Sequence, residues 1–117
     1  MTDIINILLA LTSVGLGAFG WLAPRYTMDL LDLRPDGSTM GVSEIRAASG
    51  ALFIGLGLGA IILGEPLAYA MIGFAWGGAA IGRLTSIIAD ADPTRQKYTF
   101  FGIEAAVAIA LLWINLA

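Results

Sequence analysis

Long apolar runs constrain this chain most, and the first of them, Ile4–Ala23, contains no charged residue. About 20 helical residues at 1.5 Å each match the ~30 Å hydrocarbon core of a bilayer. Of all residues 58% are hydrophobic and only 13% are charged, whereas a small soluble domain needs a charged exterior. A soluble bundle would also need a polar stripe on each helix, which the first run lacks. The sequence therefore predicts an integral membrane protein.

The runs predict an all-α, polytopic membrane protein whose four transmembrane helices form one antiparallel bundle. Pro24 is expected to end the first helix, because proline cannot donate the next helical hydrogen bond. The connection Glu65-Pro66 is so short that the second and third helices should be antiparallel neighbours. The whole chain, 1–117, is predicted to be a single domain. The helices are expected at about 4–23, 43–64, 67–88 and 99–116, with a short interfacial helix at 26–33.

The distribution of Lys and Arg predicts the orientation. The N-terminus carries Asp3 and no basic residue, so the first run is expected to be a retained helix and not a secretory signal. The first and third predicted loops contain four basic residues, and the other side contains none. The positive-inside rule then predicts a multi-pass bacterial inner-membrane protein with both termini in the periplasm. The basic residues are Arg25, Arg34, Arg95 and Lys97.

Composition excludes most familiar chemistry. The chain has no cysteine and no histidine, which excludes disulfides, iron–sulfur clusters, ordinary zinc sites and a Ser-His or Cys-His nucleophile. We therefore expect no metal, no cofactor and no catalytic constellation. The absence of a basic patch argues against a nucleic-acid partner. An enzyme acting on a lipid or quinone through glutamate acid–base chemistry is the one enzymatic alternative.

Charged residues inside the apolar segments are the candidate site. With the predicted orientation these charged residues all lie near the cytoplasmic face. Together with one serine they form a cluster composed of Glu44, Arg46, Arg83, Ser86 and Glu104. An unpaired charge at such depth costs about 2.5–3.5 kcal/mol. Glu104 is therefore expected to pair with Arg83 or Arg46 through a carboxylate–guanidinium contact. Arg46 is expected to face the bundle interior, because Ser49 continues its stripe.

Three interpretations of this cluster remain open. It is a structural clamp that fixes helix register, or an open, net positive pocket for an anionic headgroup, a carboxylate or a phosphate. In the third, Glu104 is a proton-coupled carboxylate. Intramembrane ionisable residues favour function in general, but the sequence does not separate the three.

Glycines and amides predict how the helices pack. Small residues four apart let helix backbones approach closely in lipid, within the chain or against a partner. Asn6 and Asn115 are expected to hydrogen-bond the first helix to the fourth, and Trp76 is expected to pack inside. The helix-packing glycines are predicted to be Gly50, Gly73, Gly77, Gly78 and Gly82.

Two segments together resemble a known family. The run SEIRAASGALFIGLGL at 43–58 and the run GRLTSIIADADP at 82–93 resemble a group of small four-helix bacterial membrane proteins, domain-of-unknown-function family 4345. The resemblance covers nearly the whole chain and implies the fold and the membrane, but no activity. A looser likeness to DoxX-like proteins rests on architecture alone. The matching residues are Glu44, Arg46, Ala47, Gly50, Gly82, Arg83, Ser86 and Glu104.

Two functions follow as hypotheses. The first is a non-enzymatic accessory or assembly subunit, which lies among membrane lipids and associates with a larger membrane complex, or with copies of itself, through its glycine-lined helices. The alternative is a small carrier or binding protein for an anionic or lipid-like ligand at the Arg/Glu cluster.

Overall fold

The computed structural model describes residues 2–90 and 94–117, and all the regular structure among them is helical. Four stretches are long and apolar enough to cross a membrane: Asp3–Leu22, Met40–Leu63, Pro66–Ala89 and Arg95–Leu116. The all-helical prediction with four membrane-spanning segments is therefore confirmed. The elements are α1 (Thr2–Leu22), α2 (Pro24–Leu30), α3 (Met40–Arg46), a π-helical turn (Ala47–Ala51), α4 (Leu52–Leu63), α5 (Pro66–Ala89) and α6 (Arg95–Leu116).

The short helix α2 begins two residues before the predicted interfacial helix. Ala23 separates it from α1, and Pro24 occupies its first helical turn, where the missing proline N–H costs nothing. Asp32 has a φ of 57°, a left-handed conformation that ends the helical geometry before residue 33. Met28 of α2 is buried against Val42 and Ile45 of α3, so α2 packs on the entrance of the second span.

Two spans begin earlier than the sequence predicts, and a hydroxyl group accepts a backbone N–H at the start of each. The second span starts at Met40, whose N–H donates to Ser38 Oγ at 3.3 Å. Helix α6 starts at Arg95, and Thr94 Oγ1 accepts a hydrogen bond from the Lys97 N–H at 3.3 Å. The Thr94 side-chain cap replaces a bond that the helix end cannot make internally.

The chain separates into two compact units. One is Ile7–Ile62, and the other combines Leu63–Ala117 with the residues up to Asn6. The prediction of a single domain and a single bundle stays a prediction.

In the unit Ile7–Ile62, α1 runs antiparallel to the second span with their backbones in close contact. A β-carbon built on Gly50 would lie 2.5 Å from the Trp21 nitrogen and 2.8 Å from the Gly20 carbonyl carbon. One built on Gly57 would lie 2.5 Å from the Ala10 oxygen. No real side chain fits at such distances, so these positions require glycine. Between them the buried Ser13 donates to the Phe53 carbonyl at 3.0 Å.

In the other unit, α5 and α6 form an antiparallel hairpin. Ile72 and Leu111 are fully buried, and a β-carbon on Gly73 would meet Leu112 Cγ at 2.9 Å. Trp76 is 6% exposed, which confirms that it packs inside.

Asn6 and Asn115 join the start of α1 to the end of α6, as predicted. Each amide nitrogen donates to the other's oxygen at 2.8 Å. The Asn115 nitrogen also donates to the Leu111 carbonyl at 2.7 Å. Two polar amides placed among apolar helices thus satisfy one another, which hydrocarbon requires.

The Gly50 contact predicts a large effect of one methyl group. Gly50→Ala should lower the free energy of unfolding by about 1–3 kcal/mol, because its β-carbon would meet backbone atoms that cannot rotate away. Gly55→Ala is the matched control, since nothing lies within 4 Å of that position. It should be neutral or stabilising by up to about 1 kcal/mol. Denaturant unfolding in detergent micelles, followed by circular dichroism, measures both; equal effects would contradict the close contact.

Candidate functional site

Arg83 and Glu104 form a two-pronged ion pair between α5 and α6. Arg83 Nε donates to Glu104 Oε1 at 3.1 Å, and Nη2 donates to Oε2 at 3.2 Å. Both carboxylate oxygens are thus engaged by one guanidinium group. The Glu104 side chain is 12% exposed and that of Arg83 is 32% exposed. Of the two pairings that the sequence allows, the structure has the one with Arg83.

An aromatic ring covers the arginine of this pair. The Arg83 Cζ atom lies 5.3 Å from the centre of the Phe100 ring, within the range of a cation–π contact. Phe100 precedes Glu104 by one helical turn on α6, so both project from the same face. The guanidinium group therefore has an acceptor on one side and a π-surface on the other. The four-residue spacing of Phe100 and Glu104 is visible in the sequence, but Phe100 was not among the predicted site residues.

The depth of the pair follows from the helix bounds. Arg83 stands six residues before the end of α5 at Ala89, about 9 Å along the axis. Because α6 begins at Arg95 and not at residue 99, Glu104 lies about 14 Å from the start of its helix. It therefore lies deeper in its helix than the predicted start at residue 99 implies. Ser86 is half-buried one turn beyond Arg83, and its carbonyl accepts a hydrogen bond from the Asp90 N–H at 3.0 Å.

The expected inward orientation of Arg46 is wrong. Both Glu44 and Arg46 are exposed, while Ile45 and Val42 are 6% and 7% exposed. Those two apolar residues occupy the inner face of α3 because Met28 of α2 packs against them. A charged residue on that face would have displaced an apolar contact.

Arg46 instead binds the end of α1. Its Nη1 donates to the Trp21 carbonyl at 2.7 Å. This carbonyl belongs to the last turn of α1, where the helix dipole carries partial negative charge. A cation at this position satisfies a helix C-terminus. The π-helical turn follows Arg46 directly and brings Gly50 against Gly20, so the two spans are close together where this bond forms.

An open pocket of about 580 Å³ surrounds this contact in the unit Ile7–Ile62. It contains two guanidinium groups, two hydroxyl groups, one indole and an apolar wall. Of its residues, only Arg46 belongs to the predicted cluster, and Arg25 entered the sequence-based prediction only through the orientation of the chain. The lining residues are Trp21, Arg25, Thr39, Val42, Ser43, Arg46, Ala47 and Ala51.

The predicted packing glycines divide into two groups. Gly50 and Gly73 make close helix contacts, and a β-carbon on Gly77 would meet the Ala108 β-carbon at an ordinary 3.7 Å. Gly78 and Gly82 differ, since both are exposed and nothing lies within 4 Å of a β-carbon built on either. The first group packs against other helices, and the second has no such contact among residues 2–90 and 94–117.

Four apolar spans and an ion pair between two of them define the chain as an all-α, multi-pass membrane protein. It belongs to the family described as a domain of unknown function (DUF4345), whose model matches residues 1–115. The resemblance drawn from the two sequence segments is thereby confirmed. No curated protein and no solved structure matches the chain.

The ion pair predicts an asymmetric response to charge removal. Glu104→Gln leaves Arg83 without its carboxylate in apolar surroundings and should lower the free energy of unfolding by roughly 1–3 kcal/mol, less than for a fully buried pair because Arg83 is a third exposed. The double variant Arg83→Leu, Glu104→Leu should recover much of this loss, since no orphan charge remains. Unfolding in detergent measures all variants.

Glu44→Gln is the control for that series. Glu44 is exposed, so its neutralisation should change the unfolding free energy by no more than about 0.5 kcal/mol. An effect of Glu104→Gln no greater than that of Glu44→Gln would show that the pair contributes nothing to stability.

Proposed function

We propose that this protein is a non-enzymatic, integral inner-membrane accessory or assembly subunit that associates with transmembrane helices of a larger membrane complex. The main observation that supports the proposal is a pair of exposed glycines on α5. Gly78 and Gly82 are exposed and four residues apart, and a β-carbon built on either would meet no other part of the described structure within 4 Å. The same spacing in lipid lets two helix backbones approach closely.

The unfavourable free energy of glycine in a helix favours a partner on this face. Each glycine in a helix interior costs about 0.5–1 kcal/mol relative to alanine. At Gly50 and Gly73 that cost is offset by close packing, because a β-carbon there would collide. At Gly78 and Gly82 no contact within the described residues offsets it. A second helix against this face would supply the missing contact.

Helix α4 repeats the pattern. Gly55 and Gly59 are also four residues apart, and a β-carbon at either position would meet nothing within 4 Å. Gly15 and Gly102 are open as well, but each lacks a second glycine at this spacing. Single exposed glycines are common in membrane helices, so the spacing distinguishes the first two pairs.

The closed ion pair is the reason to prefer association over a carrier at the Arg/Glu cluster. A carboxylate or phosphate binding to Arg83 would have to replace both oxygens of Glu104, which already accept from Nε and Nη2 at 3.1 Å and 3.2 Å. The pair then acts as a clamp that sets the register of α5 against α6. The non-enzymatic assignment is likewise part of the proposal, and it is supported by the lack of histidine and cysteine.

Leucine substitution on the open face tests association. Gly78→Leu together with Gly82→Leu should weaken association by roughly tenfold or more, equivalent to about 1.4 kcal/mol, because two bulky side chains would hold a partner helix away. Cross-linking in cells and native gels in mild detergent report the associated fraction.

Gly15→Leu is the matched control, being an exposed glycine without a small neighbour at the same spacing. It should leave the associated fraction unchanged. A wild-type chain that is found only as an unassociated monomer in both assays would refute the proposal, and equal losses in the variant and the control would refute the role of the α5 face.

A further inference from the structure

We propose that the pocket around Arg25 and Arg46 binds the phosphate group of an anionic phospholipid. This site lies in the unit Ile7–Ile62, involves none of the residues of the Arg83–Glu104 pair, and does not depend on the association through α5. Its chemistry, its position and its shape each support the assignment.

The chemistry is that of a phosphate site. Two guanidinium groups, from Arg25 and Arg46, line the same pocket as the hydroxyl-bearing residues Thr39 and Ser43. Guanidinium groups present paired N–H donors that match phosphate oxygens, and hydroxyl groups add neutral donors. Among the described residues no carboxylate lies within ion-pair distance of either arginine. Glu44, two residues before Arg46, projects about 200° away around the helix and does not line the pocket.

Arg46 is held in place before any ligand arrives. Its bond to the Trp21 carbonyl at 2.7 Å uses one donor of Nη1 and leaves four of the five N–H groups of a guanidinium for other acceptors. An arginine at a helix end normally extends freely toward the headgroups. This one is fixed over the end of α1, which lowers the entropy cost of binding an anion.

The position is that of a lipid headgroup. The pocket is formed where two spans end, with Trp21 next to the last residue of Asp3–Leu22 and Thr39 just before Met40–Leu63. Trp21 is 47% exposed, as expected of an aromatic side chain at the membrane interface. Phosphates of the bilayer lie at this depth, so an anionic lipid reaches the two arginines without leaving its leaflet.

The shape suits a molecule with a polar head and an apolar tail. The pocket is open, and its volume of about 580 Å³ is within the range of small-molecule sites, about 300–1,000 Å³. Its wall changes from hydroxyl residues at the entrance of the second span to Ala47 and Ala51 of the π-helical turn. Small alanine side chains leave room for an acyl chain to descend along the helix. A free phosphate ion would gain nothing from that wall.

Native mass spectrometry of the full chain in mild detergent tests the proposal. The probes are phosphatidylglycerol and the zwitterionic phosphatidylcholine, titrated separately and in competition. The wild type should bind phosphatidylglycerol in preference. Arg25→Gln should weaken that binding by about tenfold, the effect of losing one charge-assisted contact. Ser43→Ala, which keeps the Arg46–Trp21 bond, should weaken it by about threefold.

Arg34→Gln is the matched control, because Arg34 is exposed in the same connecting segment and does not line the pocket. It removes the same charge and should leave the lipid preference intact. Equal binding of the two lipids by the wild type would overturn the proposal, and so would an equal loss in Arg34→Gln and Arg25→Gln. Displacement of the bound lipid by inorganic phosphate alone would also overturn it, in favour of a soluble phosphate compound.

Discussion

Hydrocarbon offers no water to an unpaired charge, and this constraint determines how α5 and α6 meet. Two nitrogens of the Arg83 guanidinium group donate hydrogen bonds to the two carboxylate oxygens of Glu104. Sliding α6 by one turn, about 5.4 Å, would break both bonds and leave two charges in apolar surroundings. The apolar contacts of the hairpin, such as Gly73 against Leu112, would tolerate other registers far better, because lipid and leucine are equally apolar. Both hydrogen bonds of the ion pair are thus made in the observed register of α5 against α6.

Arg46 has a different kind of partner for its charge. Arg46 has a backbone carbonyl, that of Trp21, as its partner at 2.7 Å. A carbonyl carries only a partial charge, so the guanidinium group keeps most of its positive charge available. The contact depends on Gly50, which lets the two helix backbones approach, and on the position of Trp21 in the last turn of α1. A break in one helix and a π-helical turn in the other thus produce a fixed, uncompensated cation.

The sequence predicts the parts of this structure that depend on one segment at a time. Uncharged length alone predicts the run Ile4–Ala23 as a span, and the cost of burying a charge predicts that Glu104 has an arginine partner. The direction of Arg46 was not predictable in this way, because it depends on Met28 of a short neighbouring helix occupying the face next to Ile45. The π-helical turn also was not predicted, since small residues such as those of Ala47–Ala51 are common in membrane helices. The pocket was not predicted either, because it combines residues from three helices and the segment between them.

The two arginines differ in whether an external anion can compete for them. At Arg83 an entering phosphate must displace the Glu104 carboxylate, which has a full charge and matched geometry. The interaction lost with the carboxylate then cancels most of the interaction gained with the phosphate. At Arg46 it adds to a carbonyl bond that remains in place, and Arg25 supplies a second cation in the same pocket. Charge compensation thus separates a structural contact from a binding site more clearly than burial does. The pocket at the end of α1 and the open glycines of α5 consist of different residues.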